Sequence, residues 1–248
     1  MNKKLLKGLV AAFALTIAAG SVAADKNHWG YEGPEGPSHW GDLSDQYATC
    51  KTGKSQSPID IRSSKSASLA EIKFSYKETG VDVVNNGHTI QQNYAKGSTI
   101  SVGGKVYNLL QFHFHSPSEH TVDGKPYDMV AHLVHQAADG QLGVVGVLMK
   151  VGKNNAVVDS IWKNLPKAGE QKTAATTLNA ANLLPANLSF YNYSGSLTTP
   201  PCSEGVNWMV LKTPVEVSAE QVATFTNIFQ KSVRPVQPLH DRVIHASK

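Results

Sequence analysis

The chain has 248 residues, of which 41% are apolar and 17% charged, and a formal net charge of +4. Three of those positive charges, Lys3, Lys4 and Lys7, sit at the very start, and without them the balance falls to +1 (4 − 3 = 1). No Lys/Arg-rich block remains, which argues against nucleic acid or anionic lipid as a partner.

In chain order, Met1 to Ala24 reads as a secretory leader: a basic start, an apolar run from Gly8 to Gly20, then "SVAA" with small residues for cleavage. The run is too short to span a bilayer, and no later stretch approaches the ~20 apolar residues required. No cysteine follows the cleavage region to carry a lipid, so no stable membrane anchor is expected. The expectation is a soluble chain starting near Asp25, periplasmic or secreted. Its 224 residues (248 − 24 = 224) suit one large domain better than two. Two cysteines remain, Cys50 and Cys202, and in an oxidising compartment a disulfide between them is the default reading. Neither has a second cysteine at ligand spacing, so a thiolate metal site fits poorly.

The segment "HWGYEGPEGPSHWGDL" (28–43) is rich in Gly, Pro and Trp and is predicted to be irregular. Alternating or β-branched runs follow: "VDVVNNGHTIQQNY", "TISVGGKVYNLLQFHFH", "DMVAHLVHQ", "LGVVGVLMKV", "LSFYNYSGSL" and "VNWMVLK". They are punctuated at Asn86-Gly87, Gly103-Gly104, Asp123-Gly124 and Asp139-Gly140, as hairpins are. Helical periodicity is clear over 218–230, where Ser218 and Gln221 have the spacing of a capping box and Val222, Phe225 and Phe229 share a face. A weaker helical pattern covers 155–165. The fold class is therefore mainly β with peripheral helices, a single domain around a twisted, largely antiparallel sheet.

The run "QFHFHSPSEH" (111–120) raises the functional question. Phe and His alternate with period two, so Gln111, His113 and His115 point one way and Phe112 and Phe114 the other. A second run, "AHLVHQ", offers His132 on one face and His135 on the other. If the turn between the runs lies in "TVDGKPYD", the two strands pair antiparallel and one of these two histidines joins the first pair. Three neutral imidazoles would make a catalytic zinc site with an open fourth position. The plainer alternative is a set of hydrogen-bonded core histidines. No Gly-rich phosphate loop, G-x-S-x-G elbow or H-E-x-x-H helix competes.

Taken together, "HWGY" (28–31), "QSPIDI" (56–61), "NNGH" (85–88), "QFHFH" with "SEHTVDG" (111–124), "HLVH" (132–135), "GSLTTPPC" (195–202) and "RPVQPL" (234–239) resemble, in that order, an α-class carbonic anhydrase of the bacterial secreted type. The resemblance runs from His28 to about Leu239. It implies reversible hydration of carbon dioxide to bicarbonate and a proton, by hydroxide on Zn2+, with a histidine proton shuttle. It implies His113, His115 and His132 as ligands, Gln111 behind one of them, and Thr198 orienting the nucleophile while donating its proton to Glu119. Val134, Val144, Leu197, Val206 and Trp208 match the apolar wall for carbon dioxide, with Thr199 in the same pocket. His88 matches the shuttle, with Tyr31, Asn86 and Gln91 along the water path. His120 and His135 are left for structural hydrogen bonds. A homodimer is compatible with the family, although no stretch specifies one.

One position departs from the pattern. The family usually carries a glutamate two residues before the third ligand, and here that residue is Val130. A different partner, a backbone carbonyl or a water, must hold the third ring. Two other classes compete with an active hydratase. A catalytically inactive, carbonic-anhydrase-like binding module would be expected to lack one of the ligands, and all three are present. A zinc esterase would need an oxyanion hole and a leaving-group acid, for which there is no signature.

Overall fold

Strand geometry sorts the alternating runs into two faces, and most of the molecule follows from that sorting. The computed structural model describes residues 28–248; the leader reading of Met1–Ala24 and a start near Asp25 lie outside the described residues. The principal strands are β1 (Thr79–Asn85), β2 (Ile90–Asn93), β3 (Lys105–His115), β4 (Met129–Ala137), β5 (Leu142–Val151), β6 (Gln171–Leu178), β7 (Phe190–Ser196) and β8 (Glu204–Leu211). They lie side by side in the order β6-β1-β2-β3-β4-β5-β8-β7, extended past β7 by the short strands His245–Ala246 and Lys65–Ser66. Most pairings are antiparallel; β5 with β8 and with Val215–Val217, and His245–Ala246 with Lys65–Ser66, are parallel.

The predicted punctuation turns the chain where expected. Gly87, Gly103, Gly104, Gly124 and Gly140 all have positive φ, the region that glycine enters without a Cβ penalty. At the β1–β2 turn, Asn86 Oδ1 accepts from the backbone N–H of His88 and of Thr89, an Asx turn that fixes the loop carrying His88. The segment 121–126 is more than a turn. Thr121–Val122 and Lys125–Pro126 pair with each other, and the first also pairs with Asp60–Ile61.

Two helices pack on the sheet, α1 (Ala156–Trp162) and α2 (Ala219–Ile228). Asn155 caps α1, and α2 opens with the full Ser218/Gln221 capping box. Phe225 of α2 is fully buried, stacked 6.1 Å from Trp162. The segment 28–43 forms one-turn helices at Gly33–Glu35 and Trp40–Leu43 around the buried Trp40, whose indole N–H donates to Gly30 O and Glu35 O. β6 was not expected. It is an exposed edge strand of Gln, Lys, Ala and Thr with Leu178 alone buried, so it carries no apolar alternation.

The two faces bury different things. Tyr107, Leu109, Phe112, Phe114, Ala131, Leu133, Val145 and Val147 belong to the larger core, under the helices. Val130, Val134, Val144, Val206 and Trp208 belong to a smaller one on the other face. Along β3 the parity changes between Leu109 and Phe112, and the β3–β4 register shifts at the same place, pairing His135 with Leu109 but Val134 with Gln111. This bulge leaves Leu110 exposed and sets Gln111, His113 and His115 on the face opposite Tyr107 and Leu109. His135 falls on the helix side, where its ring meets Tyr76 Oη at 2.8 Å and Gly143 O at 3.2 Å. That assigns the third member of the cluster to His132.

Candidate metal centre and its cleft

In the β3–β4 ladder His113 faces His132 directly, and His115 faces Val130. The ring centroids of His113, His115 and His132 are 5.1, 5.5 and 4.8 Å apart pairwise. One nitrogen from each ring lies within 4.8 Å of one from each of the others, and among the described residues no fourth His, Cys, Asp or Glu joins this group.

The remaining nitrogens show how each ring is held. His113 Nδ1 meets Gln111 Oε1 at 2.9 Å, and His115 Nδ1 meets the carbonyl of Ser232 at 2.5 Å. An oxygen acceptor on Nδ1 puts the hydrogen there and leaves the Nε2 lone pair free. His115 Nε2 is buried and has no partner among the described residues. His132 turns the other way: its Nδ1 and His115 Nε2 lie 3.8 and 3.5 Å from the same Glu119 Oε2. Burial first, then the neighbouring imidazoles, hold His113 and His132 well below the usual histidine range. Neutral rings with aimed lone pairs are what a divalent cation requires, and three nitrogens with an open fourth side fit zinc.

Glu119 is buried beneath this cluster. Its Oε1 accepts from the Arg234 backbone N–H at 3.0 Å, while Oε2 faces the two histidines without a partner among the described residues. The expected Thr198–Glu119 hydrogen bond is therefore not formed, although Thr198 is buried in the turn after β7. The same turn holds Cys202, whose N–H donates to Thr199 O and whose sulfur is bonded to Cys50, with 5.0 Å between the Cα atoms.

Two groups at this centre escaped the sequence reading. Ser232 carries the carbonyl that holds His115. Arg234 is 2% exposed; its guanidinium donates to Gln56 Oε1, Ser57 O and Cys50 O and lies 5.6 Å from the Trp40 ring. Burial lowers its pKa to about 10, against the favourable charge of Glu119. The motif "RPVQPL" was the available signal, but its contacts lie more than a hundred residues away in sequence.

A cleft of about 140 Å³ opens above the histidines, lined by Trp29, Tyr31, Asn86, His88, Thr89, Gln91, Gln111, His113, His115 and Thr199. Trp29, Tyr31 and His88 also line a shallower depression of about 460 Å³ outside it, so His88 stands at the seam between the two. The His88 ring stacks on Trp29 at 3.8 Å and 10°. Burial, then the charge of His28, lowers its pKa. Burial raises that of Tyr31. Gln91 donates to Asn93 Oδ1, and the Asn86 carbonyl is spent on its turn. Val134, Val144, Val206 and Trp208, with Leu197 packed against them, form one apolar group; Val144 pairs with both Val134 and Trp208, and Trp208 lies 4.9 Å from His132. None of these five lines the 140 Å³ cleft.

Comparison with known proteins agrees with this geometry. The family model for eukaryotic-type carbonic anhydrase matches residues 35–248. A carbonic anhydrase of Neisseria gonorrhoeae is 44% identical over 245 residues, covering 97% of each chain. A hyperthermostable carbonic anhydrase from a hydrothermal vent chimney superposes with a TM-score of 0.87 at 50% identity, over 89% of this chain and 100% of that one. The α-carbonic anhydrase of Thermovibrio ammonificans, solved with sulfanilamide, gives 0.87 at 48% identity over 88% and 99%. The chain belongs to the eukaryotic-type, or α, carbonic anhydrase family.

Proposed function

We propose that the protein catalyses the reversible hydration of carbon dioxide to bicarbonate and a proton, at a zinc ion held by His113, His115 and His132. The observation that carries this reading is the set of three imidazole nitrogens within 4.8 Å of one another above a buried carboxylate. When bound, zinc supplies a Lewis acid that brings the pKa of water to about 7, for which carbonic anhydrase is itself the reference case.

The chain's own residues do the rest. Gln111 and the Ser232 carbonyl keep two rings in the required tautomer. Glu119 offers an acceptor oxygen beside the ligands, and Thr198 would donate its hydroxyl hydrogen bond to it while orienting the nucleophile, a role that requires that hydroxyl to swing onto Oε2. The apolar group of Val134, Val144, Leu197, Val206 and Trp208 suits a substrate with no charge and little polarity, with Thr199 at the cleft wall. His88 takes the product proton from the inner cleft and gives it to the outer depression, along a path bordered by Tyr31, Asn86 and Gln91. The Cys50–Cys202 bridge and the leader-like start support an oxidising compartment, periplasmic or secreted.

Stopped-flow hydration by the metal-analysed protein tests the reading, with His132→Ala as the decisive variant. The wild type should hold one zinc per chain, and the variant should lose its zinc and about 100-fold or more of the hydration rate. A His132→Ala protein with stoichiometric zinc and undiminished hydration would overturn the ligand assignment.

A further inference from the structure

His132 gives Nδ1 to the metal side, so its hydrogen sits on Nε2, and that atom is buried without a partner among the described residues. A second imidazole nearby has the same deficit. The His120 ring centroid is 6.1 Å from that of His132, and both rings pack on Trp208, at 4.6 and 4.9 Å. His120 is fully buried, and its Nδ1 also has no partner among the described residues.

Its tautomer follows from the chain of hydroxyls on its other side. Ser57 Oγ accepts from the Ser196 N–H at 3.1 Å, and among the described residues the only group left for its own hydrogen is Tyr193 Oη at 2.8 Å. Tyr193 then directs its hydrogen to His120 Nε2, 2.6 Å away. With Nε2 accepting, the ring hydrogen of His120 is on Nδ1. Two buried N–H donors thus sit on rings 6.1 Å apart, and Val130, two residues before His132 on the same face of β4, has no polar side-chain atom and packs in the same apolar group as Trp208. Two donors cannot satisfy each other, and an unmet buried donor carries its desolvation penalty uncompensated.

We propose that His120 and His132 together hold one small acceptor, a water or a halide ion, and that His120 is through it a positioning residue for the third metal ligand. The proposal rests on the zinc reading above. The acceptor fixes the His132 ring about its χ2 axis, as the Gln111 and Ser232 oxygens fix the other two, and so governs how readily zinc leaves.

The test uses the full zinc-loaded chain with a chelator, after the wild-type zinc content has been measured; a wild type without zinc sinks the functional reading rather than this one. In His120→Asn the amide N–H replaces the Nδ1–H, whereas in His120→Gln the amide reaches the Nε2 position and the donor beside His132 is lost. Zinc should leave His120→Gln about 10-fold faster than wild type, with His120→Asn within about twofold of it. The reverse order, or equal rates in both, overturns the proposal, because a purely structural bond to Tyr193 would favour the Gln variant. Val130→Glu supplies an acceptor from the chain and should slow release about 10-fold. Unchanged or faster release from folded Val130→Glu counts against it. Raising chloride at constant ionic strength separates the two acceptors: release slows for a halide and is unaffected for water. Should the variants not fold, long-range proton–nitrogen correlation on the wild-type protein still decides, since an Nε2–H tautomer at His120 is incompatible with the assignment.

Discussion

His88 illustrates how much a single residue's place can decide. It follows the Asn86-Gly87 turn at the seam between inner cleft and outer depression, stacked flat on Trp29. An acid of pKa near 7 that hands its proton directly to water is limited by recombination at no more than about 10¹⁰ M⁻¹s⁻¹, which caps release at roughly 10³ s⁻¹. Carbonic anhydrase reaches about 10⁶ s⁻¹, so a fast member needs a carrier. Imidazole suits the task, with an unperturbed pKa of about 6.5. The burial and the His28 charge that lower the value here favour onward release to buffer. His88→Ala should therefore lower kcat in dilute buffer by about 10-fold or more while leaving kcat/KM nearly intact, because attack on carbon dioxide precedes proton release. Added imidazole should restore much of the loss. A variant with unchanged kcat in dilute buffer would return His88 to an ordinary turn residue.

Among the elements, the turn after β7 links covalent structure to chemistry. It carries Thr198 and Thr199, and Cys202 ties it to Cys50 across 152 residues of sequence. On the chain-entropy model that closure contributes about 5 kcal/mol. Replacing both cysteines by serine should lower Tm on the order of 10 °C and reduce hydration. Titration of the unreduced, unfolded protein should find no free thiol, and finding two would refute the bridge. What was legible in the sequence is largely what elements encode locally. The Phe/His alternation of β3, the Gly-marked turns and the Ser218/Gln221 box each need only neighbours a few residues away. β6 was invisible because an exposed edge strand needs no apolar rhythm. The bulge at Leu110 was equally hidden: a period-two reading assumes constant parity, and only pairing with β4 reveals the extra residue. That same register set His132 rather than His135 beside His113 and His115. The expected Thr198–Glu119 bond failed for a local reason, since Glu119 Oε2 faces the histidines instead.

The whole molecule enters the site through its C-terminal third. After α2 the chain returns across the sheet, so that the Ser232 carbonyl holds His115 and the Arg234 N–H holds Glu119, while the Arg234 guanidinium clasps Gln56, Ser57 and Cys50. These contacts form only when the full domain closes, which is why no short motif announces them. Closure also buries imidazoles in their neutral form. Desolvation lowers His120 to about 3 and His135 to about 4, and holds His113 and His132 well below the usual value. In the unfolded chain all four titrate near 6.5, so between that pH and about 4 the unfolded state binds more protons than the native one. The sign is then fixed: stability is complete above pH 6.5 and is lost as pH falls toward the folded values. With four such groups the slope approaches roughly 5 kcal/mol per pH unit near pH 5, an upper limit for groups that stay neutral until unfolding. Zinc held by the native state's rings as proposed should steepen the loss, because acid would remove its stabilisation as well. Urea denaturation of the metal-free protein between pH 5 and 7 measures the effect. Stability should drop by several kcal/mol across that range, and His135→Gln, which removes one titrating ring without touching the metal cluster, should flatten the slope by about one proton. A metal-free protein whose urea midpoint is level from pH 7 to pH 5 would show that these imidazoles are not held neutral by burial, and the ready-made ligand set would lose its physical basis.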